Sequence, residues 1–302
     1  MKALVYTAPL QLELRDEPEP VAANDEVLVE VDACGICGSD MHGYHGHDER
    51  RPPPLILGHE AAGRIASGPN AGRRVAVNPL VTCGTCDFCL DGRAHLCRAR
   101  QIVSLAPRQG AFAELVRSPE VNLVALPDGL DSVKAALAQP MAVSYHAVDL
   151  GIDRLARPAS AARCAVIGGG AIGLGSALVL AMLGAREIFI GERHQGRRAT
   201  AAKSGPFEVY EPGSREEPAG SSVDLVLDAV GAEGTRAAAC RLVKPGGVIV
   251  HIGLLPGHAG LDVRKITLQE VTFIGTYCYT MVDFRETVDA LASGRLGALD
   301  WT

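Results

Sequence analysis

From Cys164 the chain reads CAVIGGGAIGLGSALVLAMLGA: a short apolar run, a cluster of glycines, then a longer apolar run. The first run has the length and β-branched content of a buried strand, and the second is long enough for a helix. Gly168, Gly170 and Gly173 satisfy G-x-G-x-x-G at the junction between them. A strand entering a helix through such a turn constrains the chain to a βαβ unit. Gly168 permits the tight turn, Gly170 lets backbone approach a pyrophosphate, and Gly173 lets the helix pack closely on its strand. Ala171 and Ile172, at the helix start, place backbone N–H groups and the positive end of the helix dipole toward that phosphate.

The same grammar continues downstream. EIFIGER, SVDLVLDAVG, GGVIVHIGL and VTFIGTY read as apolar strands, with TRAAACRLVK helical between two of them. Strands and helices alternating at this interval predict an α/β fold with a parallel, doubly wound sheet of the Rossmann type. Glu192 ends the strand after the glycine turn, where a carboxylate accepts from ribose hydroxyls and repels a 2′-phosphate, favouring NAD over NADP. Arg193, Arg197 and Arg198 follow it, either as a basic cluster able to receive that phosphate or as the solvated start of a helix. Gly253, at the end of a later strand, is a further candidate cofactor contact.

The first ~135 residues are different. LQLELRDEP and EVLVEVDACG alternate with the period of strands, and AAGRIAS, RRVAV and AFAELVRSP are shorter strands between Gly, Pro and Asn. The pattern turns helical around Ser132 to Ala138. Within this region CGTCDFCLDGRAHLC sets Cys83, Cys86, Cys89 and Cys97 in the spacing C-x2-C-x2-C-x7-C. Four thiolates so spaced can close a tetrahedron around Zn²⁺ with no position left for water, which makes the lobe structural. Cys37 in CGICGSDMH and His59-Glu60 in LGHEAAG supply a thiolate, an imidazole and a carboxylate. Those three leave a coordination position for substrate, as a catalytic zinc requires.

The 302 residues suffice for two domains, each with its own core. A net charge of −6 provides no electrostatic footprint for nucleic acid. MKALVYTAPLQLELRDEP lacks the apolar segment of a signal peptide, and no apolar run approaches the ~20 residues of a membrane span. Cys34, Cys164, Cys240 and Cys278 are scattered singly, as in a protein of a reducing cytoplasm.

Together, CGICGSDMH, LGHEAAG, CGTCDFCLDGRAHLC, RQGAFAELV, QPMAVSYHAV, GGGAIGLG, DAVG and KPGGVIVHIG occur in an order that resembles the zinc-containing medium-chain dehydrogenase/reductase family, close to its polyol and sugar dehydrogenase branch. The resemblance runs from Met1 to about Leu296. It implies a GroES-like β-barrel catalytic domain over 1–138 and a Rossmann NAD-binding domain over 139–277. It also implies a return toward the catalytic domain over 278–302, expected to be shorter here than in the family. It further implies an active site between the domains, with Cys37 and His59 as catalytic zinc ligands and Glu60 as a ligand or close neighbour that exchanges with substrate. Ser39 matches the hydroxyl that bonds the substrate alcohol, His42 a proton-relay position, and Asp40 a residue that orients the site. The polyol branch commonly has an acid at the third ligand position, where this chain has Gln139. Gln139 offers only a neutral carbonyl oxygen, and Glu60 is the anionic alternative.

The resemblance thus implies two Zn²⁺ per chain and hydride transfer from a secondary hydroxyl of a polyol, sugar or sugar acid to NAD. A small polar alcohol or polyol would be the substrate, and a homodimer or homotetramer the assembly. The loop Tyr44, His45, His47, Asp48, Glu49 and Arg50 either bonds a hydroxylated substrate or is simply exposed. Two other readings remain open: a simple alcohol dehydrogenase, and a catalytically silent NAD(H)-binding protein whose zinc is only structural.

Overall fold

Period-2 patterning builds the first unit. In the computed structural model, which describes residues 1–23 and 25–302, strands β1 (Lys2–Ala8), β2 (Gln11–Asp16), β3 (Glu26–Gly35), β4 (Leu55–Ile56), β5 (Glu60–Ile65) and β6 (Arg74–Val77) form its frame. β7 (Leu80–Val81), β8 (Gln101–Ile102), β9 (Leu115–Pro119) and β10 (Leu123–Ala125) complete the strands of this part. They pair antiparallel as β2-β1-β4, β10-β6-β5-β3-β9 and β7-β8. Val29, Ala61, Ile65, Val75, Val77 and Val116 point from the five-stranded sheet into one core, while Glu30 and Asp32 of the same strand face out.

The β3–β5 ladder carries the first device that positions a site. Its register slips between Val31 and Ala33, so that Cys34 pairs with Ala61 and Gly35 with Glu60. A bulge of this kind re-aims the end of a strand. Beyond that end lies the short helix α1 (Gly38–Tyr44), followed by α2 (Asp87–Leu90) in the cysteine lobe and α3 (Ser132–Ala136).

α4 (Ala138–Ile152) leads into the second unit. Here β11 (Arg163–Ile167), α5 (Ala171–Met182), β12 (Glu187–Gly191), α6 (Gln195–Ser204), β13 (Glu208–Tyr210), β14 (Val223–Asp228), α7 (Glu233–Leu242), β15 (Val243–His251), α8 (Val263–Leu268) and β16 (Thr272–Gly275) alternate. All strand pairs are parallel, in the order β13-β12-β11-β14-β15-β16. That is the doubly wound order whose direction reverses beside β11, the strand that ends in the glycine turn. Cys164 to Val166, Leu225 to Leu227 and Val248 to Val250 are wholly buried, as expected of strands covered on both faces.

The chain divides into two compact units, Met1–Pro140 with Tyr279–Ser293, and Met141–Cys278 with Gly294–Thr302. The returning piece includes α9 (Met281–Ala292), begun by Thr280 and Asp283 in a capping box. Tyr279 is buried and stacks on Phe284, with ring centroids 5.5 Å apart, so it is a core residue of the first unit. No helix among the described residues is long and apolar enough to cross a membrane.

Candidate active site

Two clusters of metal-ligating side chains assemble in the first unit. In the lobe, Cys86 Sγ lies 3.5 Å from Cys89 Sγ, Cys97 Sγ 3.6 Å from Cys83 Sγ, and Cys83 Sγ 3.9 Å from Cys89 Sγ. All four are free thiols. A tetrahedral ZnS₄ centre with bonds of about 2.3 Å has sulfur–sulfur edges of about 3.8 Å, so the quartet matches that metal and not a pair of disulfides. Backbone N–H groups of Thr85 and Cys86 pull the Cys83 thiol down to about 6, which favours the thiolate that a metal needs. Burial and the neighbouring Cys86 push Cys89 up to about 11.

The second cluster joins residues from three places. Cys37 caps α1, His59 precedes β5 and Glu60 begins it; one ligand atom from each lies within 4.8 Å of the others. Asp40 ties them together. It is 2% exposed, and its Oδ2 accepts from Cys37 N at 3.0 Å. Its Oδ1 accepts from Gly58 N at 3.2 Å and from Ser104 Oγ at 3.3 Å. The same oxygen lies 3.3 Å from His59 Nδ1, which leaves Nε2 for the cluster. Gly35 makes room on the other side, since a Cβ there would stand 2.2 Å from Glu60 Oε2.

The electrostatics fit a cation. Burial opposes charge on His59, yet pairing with Asp40 and Cys37 lifts the imidazole to about 10. Burial raises Glu60. For Asp40 burial acts upward too, but His59 and the two backbone donors outweigh it and hold the carboxyl low. With Cys37 as thiolate, His59 neutral and the two carboxylates ionised, as metal binding requires, the group carries surplus negative charge that a zinc ion bound by Cys37, His59 and Glu60 would neutralise. Cys34, only three residues away, is pushed up to about 12 by burial and stays a neutral core thiol.

The other predicted residues fall variously. Ser39 Oγ lies 3.5 Å from His59 Nε2, at the cluster. His42 is exposed on α1 and Gln139 half-buried near the start of α4. The polar loop is largely satisfied by its own protein: Tyr44 donates to Leu10 O at 3.1 Å, His45 Nδ1 lies 2.7 Å from Met41 O, and Asp48 holds Arg50 and Arg51. Sequence reasoning missed Ser104 and Arg51, both buried. Ser104 lies outside every motif and Arg51 follows a polar run that reads as surface, so neither carries a signal of that in one dimension.

In the second unit Gly168 adopts φ +98°, and a Cβ on Gly173 would come within 1.8 Å of Gly168 O. A Cβ on Gly170 would meet nothing within 4 Å, leaving the face of the turn open to a phosphate. Glu192 is folded beneath the turn: Oε2 accepts from Gly169 N and Oε1 from His194 N, both at 2.7 Å. Burial would raise its pKa, but those two donors and Arg197 keep it low and the group ionised. Arg198 is committed to Glu211, at 3.0 Å, and to the Glu192 carbonyl, whereas Arg193 and Arg197 lie exposed. Gly253 packs against the end of β14, where a Cβ would meet Val230 backbone at 2.0 Å.

Comparison with known proteins agrees with this arrangement. Residues 23–128 match the alcohol dehydrogenase GroES-like domain, and residues 171–293 match the zinc-binding dehydrogenase domain. The chain therefore belongs to the zinc-binding alcohol dehydrogenase family: an oxidoreductase of CH–OH groups with a GroES-like and a Rossmann domain. Among its relatives, L-galactonate-5-dehydrogenase of Escherichia coli is 30% identical, over 99% of this chain and 89% of that protein. Sorbitol dehydrogenase of Bacillus subtilis is 32% identical, over 97% of this chain and 86% of that one. A zinc-binding dehydrogenase of Sinorhizobium meliloti, solved bound to NADP, superposes with a TM-score of 0.88 at 30% identity, covering 98% and 89% of the two chains.

Proposed function

We propose that this chain oxidises a secondary hydroxyl of a polyol, sugar or sugar acid with NAD, holding one catalytic and one structural zinc. The observation that carries the reading is the cluster of half-buried Cys37 with buried His59 and Glu60, tied through Asp40. The named activities of the E. coli and B. subtilis relatives support the substrate class. When bound, zinc supplies Lewis acidity toward the substrate oxygen and NAD accepts the hydride.

The chain's own residues do the rest. Asp40 fixes the imidazole tautomer and the Cys37 loop at once. Ser39, beside His59 Nε2, is placed to take the proton leaving the substrate hydroxyl, and exposed His42 to pass one to solvent. Glu60 is the anionic third ligand, and Gln139 contributes a neutral oxygen at most. The turn at Gly168, Gly170, Ala171, Ile172 and Gly173 binds the pyrophosphate, with Gly253 close to the cofactor.

Glu192 supports NAD, because an ionised carboxylate below the turn repels a 2′-phosphate. Exposed Arg193 and Arg197 are the groups through which NADP would compete. β16 ends its sheet with an open edge and a partly exposed Phe273, which supports pairing into a homodimer or homotetramer. Nine free cysteines suit a cytoplasmic protein.

Elemental analysis and a polyol panel with each cofactor test the reading together. Two zinc per chain, turnover of a polyol or aldonate, and a lower KM for NAD than for NADP are expected. Cys37→Ser should abolish turnover and leave one zinc and cofactor binding. One zinc in the wild type, with no turnover of any alcohol, would favour a silent NAD(H)-binding protein.

A further inference from the structure

A buried arginine stands one hydroxyl away from the candidate zinc ligand His59. Arg51 is 4% exposed, enclosed between the loop 45–50 and α1. Its stem crosses Gly43, where a Cβ would stand 2.8 Å from Arg51 Cδ, so only glycine leaves it that path. Nη1 is paired with Asp48, and Nη2 donates to Ser39 Oγ at 3.3 Å. Nε is buried with no partner among the described residues. Asp48 also holds Arg50 Nε at 2.9 Å, so two guanidinium groups share one carboxylate.

A buried cation is costly unless its surroundings return the lost hydration, and a half-shared carboxylate returns only part of it. Setting that cation beside a metal site makes sense where negative charge appears during the reaction. A serine hydroxyl has one proton and two lone pairs. With one lone pair taken by Arg51, rotation about the Ser39 C–O bond is restricted, and the hydroxyl is held toward the cluster.

We propose that Arg51 is a positioning residue for the dehydrogenase: it fixes the Ser39 hydroxyl and favours the negative charge that the substrate oxygen carries once its proton has left, before hydride departs. The proposal rests on the dehydrogenase reading above. It assigns to the loop after α1 an electrostatic part in turnover, in place of direct contact with substrate hydroxyls.

The test compares Arg51→Gln, Arg51→Lys and Asp48→Asn in zinc-loaded protein. Readouts are steady-state rates on the best polyol, zinc per chain, thermal midpoint, and the Kd of trifluoroethanol in the presence of NAD, an equilibrium probe for an acidic alcohol. Removal of one donor aimed at developing charge lowers kcat about 100-fold in comparable sites. Arg51→Gln should therefore lose kcat on that order, with KM nearly unchanged and both zinc ions kept, and bind trifluoroethanol roughly 10-fold more weakly. Arg51→Lys should recover part of both, because the charge survives while the fork geometry does not.

If Arg51→Gln keeps kcat and trifluoroethanol binding within two-fold while melting as early as Asp48→Asn, Arg51 merely pins the loop and the proposal is overturned. Should Arg51→Gln fail to fold, a lysine variant that folds but recovers neither readout overturns it equally. A wild-type chain that holds one zinc and oxidises no alcohol overturns this proposal and the dehydrogenase reading together.

Discussion

Asp40→Asn isolates what holds the candidate catalytic centre together, because it keeps the side chain's size and removes its charge. In the wild type one carboxylate oxygen serves Cys37 N, and the other serves Gly58 N and Ser104 Oγ and lies 3.3 Å from His59 Nδ1. An asparagine has one acceptor oxygen. If that oxygen keeps the Gly58 side, an NH₂ faces Cys37 N, donor against donor, in a place only 2% exposed. An unsatisfied buried amide costs about 1–3 kcal/mol, and hydrogen bonds to a charged group are worth about 1.5–3 kcal/mol each. A loss of about 2–4 kcal/mol follows, enough to lower Tm by roughly 10 °C in a protein of this size class.

The larger effect is on zinc. Loss of the group that orients a ligand imidazole weakens metal affinity about 10- to 100-fold. The Cys83 to Cys97 lobe makes none of these contacts. Wild-type protein dialysed against a mild chelator should keep two zinc per chain, and Asp40→Asn one. Tm by calorimetry and zinc by elemental analysis read both effects on one preparation. An Asp40→Asn protein with wild-type Tm and two zinc would refute the reasoning, as would one that empties the cysteine lobe first.

Three further outcomes are expected. Gly35→Ala puts a methyl 2.2 Å from Glu60 Oε2, so the carboxylate must swing away; about 1–3 kcal/mol of stability should be lost, with weaker retention of the second zinc alone. Gly170→Ala should fold like the wild type yet bind NAD more weakly by calorimetric titration, whereas Gly173→Ala, 1.8 Å from Gly168 O, should lose stability as well. Burial raises Glu26, but Arg108 at 2.7 Å, Ala23 N and Arg117 pull it below its ordinary 4.5. A lowered carboxylate stabilises the fold above its unfolded pKa and stops doing so as pH falls through the folded one. Urea unfolding of Glu26→Gln should therefore differ from wild type by a constant amount from pH 7 to about 5, with the gap closing below about 4.5; a gap that persists at pH 3 would contradict this.

Much of this protein was legible in one dimension wherever a local rule dictates the geometry. β3 occupies the residues of the alternating segment EVLVEVDACG, since period-2 burial is a property of the strand itself. The glycine turn after β11 was legible because Gly173 must touch the strand it follows. The cysteine quartet lies in one short loop, so its spacing nearly determines its closure. The place of α9 with the first unit carries no local signal and was expected only from the family resemblance, because it depends on partners far back in the chain.

The sequence by itself determined the chemistry available: the ligand types, the glycine turn, the acidic residue after β12 and the alternation that makes a doubly wound sheet. Only the tertiary structure decided which of those groups meet. A bulge in β3 and a glycine at 35 let Glu60 reach Cys37, Asp40 couples two loops through one carboxylate, and Arg51 turns inward from a run that reads as surface. The physical reason is range. Propensity and periodicity act over a few residues, whereas buried charges are stable only where distant segments bring them partners.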